Sequence, residues 1–167
     1  MVATQRRRIY AALFEGLCVL GRPVGGVRPR RMYHWLALHA FEKPVYRWYR
    51  NRWGCELYLS PYYVIDRSII AFGTFESGLH RFLEHNVRPG MVCLDIGANL
   101  GEVAMHMARK TGPSGRVLAF EPIPPVRARL EQHVAHNNLG DVVRVESLAL
   151  SNGEGRVTMS YATAAEP

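Results

Sequence analysis

The segment of this 167-residue chain best equipped for chemistry is Asp95-Ile96-Gly97-Ala98-Asn99-Leu100-Gly101. Gly97 and Gly101 permit a tight turn and close approach of the backbone to a ligand. Asn99 tolerates a left-handed conformation better than most side chains. A helix opening near Gly101 would offer backbone N–H groups to an anionic group such as a carboxylate. Glu121 follows 20 residues after Gly101. At the end of the next strand, a carboxylate accepts hydrogen bonds from both hydroxyls of a ribose and repels a 2′-phosphate. The pair describes a nucleoside site better than either feature alone.

Charge selects the nucleoside. The dinucleotide fingerprint is G-x-G-x-x-G, whereas the spacing from Gly97 reads G-x-N-x-G. Asp95 would sit awkwardly beside a pyrophosphate, but its carboxylate can accept bonds from an ammonium. S-adenosylmethionine presents an ammonium, a carboxylate, a sulfonium and a ribose, with no phosphate. The chemistry therefore favours a methyl donor over NAD, and a nicotinamide-dependent oxidoreductase is the disfavoured alternative.

The elements that must position these residues are legible around them. Met91 to Ile96 is a nearly continuous apolar run, read as a strand buried on both faces. Gly101 to Lys110 reads as a helix, Arg116 to Glu121 as a strand, Pro124 to Asn138 as a helix and Val142 to Ser147 as a strand. Strand, helix, strand, helix, strand with short turns predicts a parallel, doubly wound sheet. Right-handed crossovers place both helices on one face, and ligands bind beyond the carboxyl ends of the strands. Val157 to Ser160 reads as a further short strand.

Upstream the texture differs. Residues 1–60 carry eleven Arg and Lys against three Glu, and residues 61–167 carry ten against eleven acids. The basic excess therefore lies in the first third of the chain. Arg6-Arg7-Arg8 followed by Ile9 to Leu20 imitates a secretion signal, but Glu15 interrupts it and no small-residue cleavage site follows. A short amphipathic helix and a Gly/Pro-rich loop over Gly21 to Pro29 are expected instead. Arg31 to Arg52 interleaves aromatic and basic residues and reads as a helical stretch broken near Pro44. Cys55 to Ser60 alternates like a strand, Pro61 to Phe72 reads as a turn and helix, and Phe75 to Val87 as a helix. Packed aromatics with solvated Arg account for the basic segment, so no nucleic-acid partner is expected. A peripheral contact with a membrane surface stays open. Cys18, Cys55 and Cys93 have no metal-ligand spacing, so no metal is expected, and with the rejected signal they point to a cytoplasmic protein.

Phe75-Glu76, Arg88 to Gly101 and Gly115 to Pro122 resemble the FkbM family of S-adenosylmethionine-dependent methyltransferases. Asn137-Asn138-Leu139, Val145 to Ser151 and Glu154 to Thr158 continue the resemblance, which covers roughly residues 55–160. It implies a Rossmann-like methyltransferase fold of three layers, αβα, acting on a hydroxyl of a sugar or natural-product-type small molecule. Carried over by position, Asp95, Gly97, Asn99 and Gly101 would hold the methionine part of the cofactor. Glu121 would take the ribose hydroxyls with Pro122 shaping the turn, Ser147 and Leu148 would border the adenine, and Glu76 would close the site. The implied division is a helical, basic extension over residues 1–54 and the N-terminal half of the methyltransferase domain over 55–167. The family pattern continues with a strand like I-K-I-D-x-E-G that is not present before Pro167. The expectation is thus a domain truncated after its third parallel strand, and the alternative is a non-catalytic binding module using the basic N-terminus for a membrane or nucleic-acid surface. No catalytic base is assigned: His80, His85 and His106 lie on helices, where a single His is more often a surface or core residue.

Overall fold

The computed structural model describes residues 2–20 and 30–159. It divides into two compact units, Met1–Phe82 and Leu83–Pro167. The expected loop over 21–29 lies outside the described residues.

In the first unit, α1 (Val2–Leu20) and α2 (Arg30–Ala40) pack through aromatic side chains. Phe14 is fully buried, with its ring 6.2 Å from Tyr33 and 6.0 Å from Phe41. The Tyr33 hydroxyl donates to the Leu17 carbonyl at 2.9 Å, so its polar end is satisfied inside the pair.

Residues 45–52 are not helical. Arg47–Arg50 forms strand β1, antiparallel to β2 (Glu56–Leu59), with Trp48 opposite Tyr58 and Arg47 opposite Leu59. The helical reading of Arg31 to Arg52 is therefore corrected beyond Ala40. The run Tyr46-Arg47-Trp48-Tyr49-Arg50 has the aromatic content that favours a strand once a partner is beside it. Asn51 closes this hairpin, its Oδ1 accepting the N–H groups of Trp53 at 3.0 Å and Cys55 at 2.9 Å.

β2 buries Leu57 and Leu59. Helix α3 (Val64–Phe72) follows, and its buried Asp66 accepts the Ser60 N–H at 2.9 Å. The Arg67 Nε–H donates to His34 Nδ1 at 2.8 Å, tying α3 to α2. Helix α4 (Ser77–Asn86) completes the run and extends into the second unit.

The second unit holds β3 (Val92–Ile96), α5 (Glu102–Thr111), β4 (Arg116–Phe120), α6 (Pro124–His136) and β5 (Val143–Glu146). The strands are parallel in the order β3-β4-β5. This α/β arrangement is the one expected from the alternation of elements. α5 and α6 lie side by side: Leu130 meets Gly101, and the Asn137 side chain reaches the Met105 sulfur at 3.6 Å. Val117 and Ala119 are fully buried on the covered face of the sheet.

The expectation that β3 is buried on both faces fails. Val92, Leu94 and Ile96 are 65%, 55% and 64% exposed. They alternate with Cys93 and Asp95, which share the register of Val117 and Ala119. Both helices cover that one face; on the other, Val92, Leu94 and Ile96 of β3 stay open, whereas Phe120 of β4, in register with Ile96, is buried. The short strand expected at Val157 to Ser160 is likewise absent through Met159, and Ser160 lies outside the described residues.

Candidate nucleoside-binding site

The loop after β3 is built by three left-handed residues. Gly97, Asn99 and Gly101 have φ of 80°, 49° and 84°, a region that costs most side chains about 1–2 kcal/mol. Asn is among the few non-glycine residues found there routinely. The loop is pinned to the end of β4, because the N–H groups of Gly97 and Ala98 both donate to the Phe120 carbonyl at 2.9 Å. Gly101 then starts α5, accepting the Met105 N–H at 2.9 Å.

Glu121 holds this loop from the neighbouring strand end. Its Oε2 accepts the Asn99 N–H at 3.0 Å, and its Oε1 accepts the Ile123 N–H at 2.9 Å. The residue is 5% exposed. Each oxygen keeps capacity for a further donor, since a carboxylate accepts about four hydrogen bonds. The carboxylate is thus pre-oriented by two backbone amides.

The sequence-expected residues do not all fall together. Asp95, Gly97, Asn99, Gly101, Glu121 and Pro122 gather at the carboxyl ends of β3 and β4. Ser147 and Leu148 follow β5 at the same end of the sheet, and both are exposed. Glu76 belongs to the first unit, exposed just before α4, where its carbonyl accepts the His80 N–H at 3.1 Å.

Two positioning residues were not legible in the sequence. His133 is fully buried on α6, and its Nδ1–H donates to the Leu100 carbonyl at 2.8 Å, fixing the loop from behind. Leu130 fills the space in front of Gly101: a Cβ there would lie 2.2 Å from Leu130 Cδ1. The only signal was the stripe Leu130, His133, Val134 at helical spacing, which also describes an ordinary core face.

The rejected histidines are placed structurally. His106 is buried and donates Nε2–H to Glu84 at 2.7 Å. His80 stacks on Trp53 at 5.1 Å, and His85 sits exposed in the last turn of α4.

Residues 95–166 match the sequence pattern of the methyltransferase FkbM domain. The chain is 38% identical over 73 residues to the AMB antimetabolite synthetase AmbE of Pseudomonas aeruginosa, covering 44% of this chain and 3% of that protein. It is 30% identical over 76 residues to protein-L-isoaspartate O-methyltransferase 1 of Arabidopsis thaliana, covering 46% of this chain and 33% of that protein. A solved S-adenosylmethionine-dependent O-methyltransferase from Thermotoga maritima overlays with a TM-score of 0.43 at 22% identity, covering 71% of this chain and 46% of the other. The chain therefore spans a third or less of the length of these two sequence relatives. The matched stretch is the one that carries the Gly97 loop, Glu121 and β5, and its sequence is similar to the methyltransferase FkbM domain.

Proposed function

We propose that this chain carries the cofactor-binding part of an S-adenosylmethionine-dependent methyltransferase acting on a hydroxyl of a sugar or natural-product-type small molecule. The observation that carries this reading is the bond from the Asn99 amide to Glu121 Oε2, 3.0 Å long, which makes the glycine loop and the acidic strand end one unit. The Arabidopsis relative is named an O-methyltransferase and the Pseudomonas relative a synthetase of an antimetabolite, which supports an oxygen acceptor and a small-molecule setting.

The residues fit the cofactor. Glu121 offers buried, oriented acceptor capacity suited to ribose hydroxyls, and Asp95 offers a carboxylate suited to an ammonium. A Cβ built on Gly97 meets nothing within 4 Å, so the loop leaves open ground above its backbone. A pyrophosphate would meet the Asp95 charge instead, which disfavours a dinucleotide. When bound, the cofactor supplies a methyl group already activated by its sulfonium. This chain's residues would contribute alignment: Glu121 fixing the ribose, the Gly97–Gly101 loop and the first turn of α5 holding the amino-acid end. Pro122 would shape the turn beside the ribose, and Ser147 and Leu148 would border the adenine.

The test is thermal unfolding of the full chain with saturating S-adenosylhomocysteine. A ligand that binds only the folded state raises stability by about 2.7 kcal/mol at 100 times its Kd. An upward Tm shift that Glu121→Ala abolishes is the expected result. Stabilisation by NAD with no response to S-adenosylhomocysteine would overturn the reading.

A further inference from the structure

The α1–α2 pair carries an outward face that the nucleoside site does not use. On α1, Ile9 and Leu13 lie one turn apart and are 52% and 49% exposed, with exposed Arg6 on the same stripe. On α2, Trp35 and Leu38 are 47% and 64% exposed, with exposed Arg31 beside them at helical spacing. The two stripes adjoin, because the Tyr10 ring meets Trp35 edge-on at 5.3 Å. The opposite sides of the helices supply the core, through Phe14, Cys18, Tyr33, Leu36 and Ala37.

The uncompensated charge on this face has one sign. Glu15 is paired with Arg47 at 2.8 Å, and Glu42 is paired with Arg7. Arg6 and Arg31 are exposed and pair with no described carboxylate.

We propose that this face docks on an anionic lipid bilayer, with Ile9, Leu13, Trp35 and Leu38 entering the headgroup–acyl boundary and Arg6 and Arg31 meeting the lipid phosphates and carboxylates. Apolar side chains flanked by Arg on an amphipathic surface are the composition such a contact needs. A second copy is a poorer occupant, because a two-fold contact would set these arginines against themselves. A nucleic acid would need open ring faces for stacking. One face of Trp35 is already taken by His39, stacked at 4.3 Å, and Ile9, Leu13 and Leu38 have nothing to stack. Among the described residues no helix is long and apolar enough to cross a membrane, so the contact is peripheral. The proposal concerns the first unit alone and does not rest on the methyl-transfer reading.

Flotation of the full chain with vesicles tests it. Phosphatidylcholine vesicles containing phosphatidylserine should carry the chain upward, pure phosphatidylcholine should not, and added salt should weaken the binding. Arg6→Glu with Arg31→Glu should reduce partitioning by tenfold or more, at about fivefold per arginine removed. Leu13→Ser with Leu38→Ser should reduce it by about tenfold through lost apolar insertion, with an unchanged circular dichroism spectrum. Quenching of tryptophan emission by brominated acyl chains, lost in Trp35→Phe, is an independent readout of insertion. The proposal is overturned by absence of binding to either vesicle or by unchanged binding of the Leu13/Leu38 variant. It is equally overturned if a single-stranded oligonucleotide displaces the chain from anionic vesicles.

Discussion

The Glu121 carboxylate accepts the backbone N–H of Asn99 at 3.0 Å, joining the ends of two adjacent parallel strands through one side chain. Its other oxygen holds the Ile123 N–H at 2.9 Å, so both amides depend on an acceptor-only group. Glu121→Gln keeps the size but turns an NH2 toward one of these donors. Leaving a buried donor unsatisfied costs about 1–3 kcal/mol. Urea unfolding should show a loss of that order for Glu121→Gln, and a change below about 0.5 kcal/mol would mean the bond does not hold the loop.

Gly97 and Gly101 share a positive φ but not their surroundings. At Gly101 a Cβ would lie 2.2 Å from Leu130 Cδ1, whereas at Gly97 it would meet nothing within 4 Å. Gly101→Ala combines a conformational cost with overpacking and should destabilise by about 2–4 kcal/mol. Gly97→Ala should cost only about 1–2 kcal/mol of backbone strain. Its larger effect should be on ligand affinity, because its methyl occupies the open ground assigned to the cofactor. Equal stability losses in denaturant unfolding would refute the distinction.

The parallel sheet and the Gly97 loop were readable because continuous apolar runs, glycines and one acidic residue fall at chain positions that local chemistry constrains. Strand β1 was not. Arg31 to Arg52 carries aromatic residues at spacings compatible with a helix, and only pairing of Trp48 with Tyr58 decides for a strand. The roles of Leu130 and His133 were hidden for a similar reason. Their helical spacing announces burial, while the partner they are buried against, the loop at Leu100 and Gly101, is a tertiary fact.

Glu84 sets a pH dependence in the second unit. Hydrogen bonds from Lys110 and His106 hold its carboxyl below the ordinary value of 4.5, at 3.0 Å and 2.7 Å respectively. A carboxylate whose folded pKa is depressed contributes stability that is present above the unfolded value and fades as pH falls through the folded one. Glu84→Gln should therefore flatten the stability profile on the acid side of 4.5. An unchanged acid limb in unfolding measured from pH 6 downward (roughly the plateau for carboxylates) would exclude the clamp. Since Glu84 is 38% exposed, the effect is one of slope, screened by solvent.

The uncovered face of β3 makes a further prediction. Parallel strands are ordinarily covered on both faces, yet Val92, Leu94 and Ile96 are more than half exposed on the outer strand of the described sheet. An apolar stripe beside a strand edge with unused backbone donors and acceptors favours pairing with another chain. The 167-residue chain should bind a hydrophobic dye strongly and self-associate as its concentration rises. Replacing Leu94 and Ile96 by Thr retains β propensity while removing most of the apolar surface. That variant should lower dye emission several-fold and shift sedimentation toward monomer with little loss of stability, because the replaced side chains bury little in the chain itself. Undiminished dye binding would place the sticky surface elsewhere, and a large loss of stability would show that the face is packed in solution.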